Sequence, residues 1–89
     1  KQAIASPRRE DMDAFGMVRR EGWWGVFVAF FRNGYLMGSH YSEMEDAGLT
    51  TEEFLSNFLV QFYGRNSLIP GRILLPEWLD DAPVLAEWL

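Results

Sequence analysis

Thirteen Asp/Glu, eight Lys/Arg and one His are the side chains from which any acid, base or metal chemistry in this 89-residue chain must be built. The carboxylates come first. A two-metal nuclease needs acids that converge on one spot, holding ions ~3.5–4 Å apart, and it draws them from a first strand, a first helix and the end of a fourth strand. Here the middle of the first apolar strand reads Gly16-Met17-Val18-Arg19 and offers no acid. Asp13 stands at the start of that strand and Glu21 beyond its end. Glu52 and Glu53 fall in the opening turn of a helix, where capping and the helix dipole explain them. Glu77 does follow the short fourth strand, but one acid out of three cannot hold two metals. His40 is the only histidine, which rules out a His-rich metal site. A lone His near a strand end is ordinarily a surface or half-buried polar residue. Gly34, Gly38 and Gly48 are spaced as turn and strand glycines, and no strand-to-helix junction carries a phosphate loop. The chain has no cysteine, so neither a disulfide framework nor a thiolate metal site is expected, in keeping with a reducing cytoplasm. No catalytic residue, metal, cofactor or small-molecule substrate is predicted for this segment.

The arginines are the remaining candidates. Arg8, Arg9, Arg19, Arg20 and Arg32 precede or end strands, close in sequence to Trp23 and Trp24, and such a set is expected to touch a phosphate backbone. Arginine at a strand end is also an ordinary solubilising residue, and Glu10, Asp11 and Glu21 neutralise part of the patch. The net charge is −5, unlike that of a dedicated nucleic-acid binder. It is unevenly spread. Residues 1–42 carry six Lys/Arg against four acids, and residues 43–89 carry two against nine. One side suited to phosphate and one suited to a basic partner would result, or simply two solvated faces. Adjacent strand residues point to opposite faces, so Trp23 and Trp24 cannot both enter one core, and an exposed Trp would mark an interface.

The elements that must position these residues follow from pattern and punctuation. Residues 1–12, with Ser6-Pro7 and mixed charges, read as a lead-in, and 13–89 as one domain. A strand is expected at Ala14–Arg20, a turn at Glu21-Gly22 and a central strand at Trp23–Arg32, apolar on both faces. Asn33-Gly34 is a type I′ hairpin signal, and the returning strand is expected at Tyr35–Ser42. Thr50 with Glu53 forms a capping box, Phe54, Phe58 and Phe62 make an apolar stripe, and Gly64 ends that helix. A short strand at Arg72–Leu75 and a last helix capped by Asp80-Asp81 complete the order. No apolar run approaches the ~18 residues of a membrane span. The last helix reaches Leu89 without a C-cap signal, which predicts an internal fragment of a longer protein. The expected class is α+β: an antiparallel three-strand meander, a short fourth strand and two helices.

Four stretches in this order resemble one family. Ser6-Pro7 with Glu10 to Gly16 resembles the segment after the UVR motif of UvrC, and Val26 to Gly38 its strand–turn–strand. Glu53 to Tyr63 resembles its helix ending in Gln-(Phe/Tyr)-Tyr. Arg72-Ile73-Leu74-Leu75-Pro76 and Asp80 to Leu89 resemble its later strand and helix. The resemblance implies a central RNase H-like module, degenerate and truncated, within the nuclease subunit of nucleotide excision repair. The family's two catalytic sites, a GIY-YIG domain and a downstream RNase H-like endonuclease domain, have no counterpart motif here, so no catalytic residue carries over. The expected role is non-catalytic: positioning the nuclease domains and contacting DNA, with UvrB and the other UvrC domains as partners, in the cytoplasm, in the DNA-damage (SOS) response. The alternative is a protein-interaction module that uses its acidic half and has no DNA role. Glu21-Gly22-Trp23-Trp24-Gly25 departs from the family's more polar turn and points to an aromatic contact surface.

Overall fold

A computed structural model describes residues 9–64 and 68–76 of the chain. Strands β1 (Met12–Arg20), β2 (Trp23–Arg32) and β3 (Tyr35–Glu45) are followed by helix α1 (Thr51–Tyr63) and strand β4 (Arg72–Leu74). They form one mixed sheet in the order β3-β2-β1-β4. Both hairpin pairs are antiparallel, and β4 runs parallel to β1. A parallel neighbour cannot be reached by a tight turn, so the chain crosses the sheet through α1 to arrive there. The meander with a short fourth strand is therefore as expected. The second helix expected at Asp80–Leu89 lies outside the described residues, as do Glu77 and Arg8.

Three strand bounds differ from expectation. β1 begins at Met12, because Met12, Asp13 and Ala14 pair on one side with Phe31, Phe30 and Ala29 and on the other with Arg72, Ile73 and Leu74. Residue 12 is thus sheet and not lead-in. β3 continues past Ser42 to Glu45, opposite Gly25, Trp24 and Trp23. Its polar end conceals the alternation, in which Met44 turns to the core between Glu43 and Glu45. β4 stops at Leu74, one residue early.

The turns obey their residues. Asn33 (φ 55°) and Gly34 (φ 83°) both occupy the left-handed region that a type I′ hairpin requires. The Asn33 N–H donates to Asp11 Oδ1 at 2.8 Å, and Gly34 N–H to the Glu10 carbonyl at 3.0 Å. At the head of α1, Thr50 Oγ1 accepts from the Glu53 N–H at 3.1 Å, and Glu53 Oε1 accepts from the Thr50 N–H at 2.9 Å. Two otherwise orphaned donors are satisfied reciprocally. At the far end Gly64 donates to the Val60 carbonyl and closes the last turn.

Alternation sends Phe15 and Met17 from β1, and Trp24, Val26 and Val28 from β2, toward α1, which closes the core with Phe54 and Tyr63. Phe15 is fully buried and meets Phe58, Phe62 and Tyr63 edge-on. Trp24 is also fully buried and stacks flat on Phe54, with centroids 4.2 Å apart. Trp23, on the opposite face, is half-buried. On that face Gly25 leaves room for Tyr41: a Cβ there would stand 2.5 Å from the Tyr41 hydroxyl. Among the described residues no helix is long and apolar enough to cross a membrane.

Candidate functional site

Among the described residues Asp13 is the one charged side chain in the buried core, 1% exposed, near the start of β1. An ionised carboxylate there is tolerable only if it is paired and fully hydrogen-bonded. It is. Oδ1 accepts from Arg32 Nη1 at 2.8 Å, and Oδ2 from the Tyr63 hydroxyl at 2.6 Å. The same Arg32 nitrogen donates to the Phe31 carbonyl at 2.7 Å. Burial first, then the hydrogen bond to Asp13 and its charge, push the Tyr63 hydroxyl well above the usual tyrosine range, so it stays a donor. The triad joins the start of β1, the end of β2 and the end of α1. Each Asp13 oxygen accepts one hydrogen bond, and the adjacent Arg32 guanidinium disfavours a cation there. Among the described residues no three His, Asp or Glu side chains come together as metal ligands.

Arg19, at the other end of β1, is held as firmly. Its Nε and Nη2 grip the two oxygens of Asp46 at 2.9 and 3.0 Å, and Nη2 also donates to the Leu49 carbonyl at 3.0 Å. The guanidinium lies 4.4 Å over the Trp24 ring, whose other partner is Phe54. Arginine, indole and phenyl thus tie the β3–α1 loop to the sheet. The Arg19 hydrogen bonds, and then the Gly48 N–H, lower the Asp46 carboxyl from 3.8 to about 2. Trp24 Nε1 lies near enough to Asp46 to add to that shift, yet it is buried without a well-formed hydrogen bond, since Arg19 and Gly48 occupy the oxygens.

The five arginines expected to contact phosphate are not brought together. Each hairpin reverses the chain, so consecutive turns lie at opposite ends of the sheet. Met12 faces Phe31 and Arg19 faces Trp24. Those pairs are separated by about 23 Å, at ~3.3 Å per residue. Arg19 and exposed Arg20 therefore sit at one end, and Arg9 and Arg32 at the other. Arg8 lies outside the described residues.

What does gather at the Asn33-Gly34 end is a different set. Arg9 lies 5.8 Å from the centroid of the exposed Tyr35 ring, and Arg32 reaches Asp13. Arg72 pairs with Glu10 at 2.8 Å. The Arg32 and Arg72 side chains keep 38% and 56% of their surface exposed. Arg9 adopts φ 52°, an uncommon conformation for a residue with a Cβ. Sequence reasoning missed Arg72, because only the parallel register of β4 on Met12–Ala14 brings it here. It also missed Asp13 as a structural anchor. The available signal was an acid inside an apolar strand facing an arginine at the end of the partner strand. His40, the chain's one histidine, is exposed on β3.

A family model described as the UvrC ribonuclease H-like domain matches residues 11–89. The UvrABC system protein C of Alkaliphilus oremlandii is 34% identical over 90 residues, and that of Desulforudis audaxviator 37% over 91. The UvrABC system protein C of Syntrophotalea carbinolica is 37% identical over 89 residues. In all three the whole chain is matched, and it spans 14–15% of the relative's length. No solved structure matches the chain with significance.

Proposed function

Since the chain belongs to the UvrC ribonuclease H-like domain family, we propose that it serves as a non-catalytic module of a UvrC-type excinuclease in nucleotide excision repair, placing the nuclease domains and touching DNA at the Asn33-Gly34 end of its sheet. DNA, UvrB and the other UvrC domains are the partners of this role, which belongs to the bacterial cytoplasm. The observation that carries the DNA contact is that Arg9, Arg32 and Arg72 share the Asn33-Gly34 end of the sheet, with Arg9 over the exposed Tyr35 ring. Guanidiniums fix register on a phosphate backbone, and an aromatic ring offers a stacking face to an unpaired base. The non-catalytic assignment is supported by Asp13, which is buried and paired with the Arg32 guanidinium and the Tyr63 hydroxyl.

The test is binding to a labelled short duplex and to a single strand, at low and at physiological salt, with magnesium present and the DNA inspected for cuts. Arg9→Ala and Arg72→Ala are the informative variants, because Arg19 and Arg32 also hold the fold. Saturable binding that weakens with salt is expected. Each variant should reduce the salt slope by about 1, as expected for one lost phosphate contact. No binding at low salt would remove DNA contact and leave a spacer between domains. Magnesium-dependent cleavage would overturn the non-catalytic assignment.

A further inference from the structure

Arg9, Glu10 and Asp11 lead into β1 beside the Asn33-Gly34 turn, and each is tied down. The Glu10 carbonyl accepts from the Gly34 N–H at 3.0 Å, and its carboxylate holds Arg72 of β4 at 2.8 Å. Asp11 Oδ1 accepts from the Asn33 N–H at 2.8 Å. The Arg9 guanidinium lies 5.8 Å from the centroid of the Tyr35 ring on β3. Three residues thus reach the hairpin turn, β3 and β4. Arg9 does so at φ 52°, in the left-handed region. A residue with a Cβ enters that region at a cost and stays only where its surroundings hold it. The Arg72–Glu10 pair is exposed, its side chains keeping 56% and 28% of their surface, so it is weak and screened by salt. A strained residue held by an exposed ion pair and a ring contact is a fastening that opens without unfolding the core.

Its parts have a second claim on them. Arg9, Arg72 and Tyr35 are side chains proposed above to meet DNA, yet here Arg72 faces Glu10 and Arg9 covers the ring. A phosphate that takes Arg72 competes with the Glu10 carboxylate. A base that stacks on the face of Tyr35 beneath Arg9 has to displace that guanidinium. We infer that residues 9–11 form a latch that DNA opens, because fastening and nucleic-acid contact draw on the same three side chains. With Arg72 and Arg9 turned to DNA, only the two turn hydrogen bonds hold the segment, and the chain before Met12 comes away from the turn. The coupling is reciprocal: whatever loosens the latch strengthens the DNA contact by the same factor. The inference rests on the DNA contact proposed above and adds its regulation. In a module that places other domains, such a latch lets DNA change the hold on the segment that leads into β1.

The test is amide hydrogen exchange on the 15N-labelled 89-residue chain at low salt, with and without a short oligothymidylate. The buried Gly34 amide, which donates to the Glu10 carbonyl, reports the latch, and Val26 and Val28 in β2 report the core. Glu10→Gln and Arg72→Gln are each expected to speed Gly34 exchange about threefold, as befits one exposed ion pair. The double variant should go no further than either single one, and Val26 and Val28 should hold their rates. Saturating oligothymidylate should speed Gly34 to a similar degree in the natural chain and leave it unchanged in Glu10→Gln, where the latch is already loose. An oligonucleotide that binds but leaves Gly34 exchange unchanged, or slows it, would overturn the latch and keep the DNA contact. Unaltered exchange in both single variants would overturn it as well, and so would equal speeding at Val26 and Val28, a sign of global destabilisation. No binding at all would overturn the release together with the DNA contact, while the effect of the variants would still stand.

Discussion

At the scale of single residues, the Asp13–Arg32–Tyr63 contact decides what this sheet end can do. A carboxylate in that place would be suspected of holding a metal in a nuclease. Here it is a fastener. Removing the Tyr63 hydroxyl leaves Asp13 Oδ2 buried without that donor, which costs about 1–3 kcal/mol. Tyr63→Phe is therefore expected to lower unfolding stability by that amount in urea, with the m-value unchanged. Retention of full stability would mean that another donor replaces it. Asp46 makes a prediction in pH. Its carboxyl is lowered from 3.8 to about 2, so its contribution is present above about pH 4 and lost as pH falls toward 2. Asp46→Asn should be less stable than the natural chain at pH 7, and the gap in thermal midpoint should narrow between pH 4 and 2. A gap constant with pH would assign the difference to packing and not to the ion pair.

Elements were legible wherever one residue type does one job. The Asn33-Gly34 turn, the Thr50/Glu53 capping box and the Gly64 stop all stand where their chemistry puts them. Replacing Thr50 with Ala removes one side-chain acceptor from the head of α1 and should cost about 1 kcal/mol, read by chemical unfolding. An unchanged midpoint would mean that tertiary packing alone holds the first turn. Bounds were less legible where polarity and structure part company. Glu43 and Glu45 disguise the end of β3, and Met12 pairs both with Phe31 of β2 and with Arg72 of β4, which arrives from 60 residues away. Periodicity carries no information about such a partner.

At the scale of the whole molecule, pattern gave the α+β class and the strand sequence but misjudged which charges meet. Arg19 and Arg32 look alike in the chain, each ending a strand. Register sends them to opposite ends of the sheet, and each is committed to a buried or half-buried acid there. The uneven charge of the two halves acquires meaning only in three dimensions. Arg9, Arg32 and Arg72 share the Asn33-Gly34 end of the sheet, while residues 43–64, around the end of β3 and along α1, hold five acids and no Lys or Arg. The contribution of Arg72 was not visible in sequence, because it depends on where β4 lands.

The parallel pairing of β1 and β4 has a mechanical consequence. Among the described residues the chain enters the sheet at the start of β1 and reaches its last pairing in β4, a neighbouring strand that points the same way. Tension applied to those two ends would slide one strand along the other. The bonds of Met12–Ala14 with Arg72–Leu74 would then be strained together and not peeled open in turn. A pull on either end would pass through the sheet as through a short rigid strut.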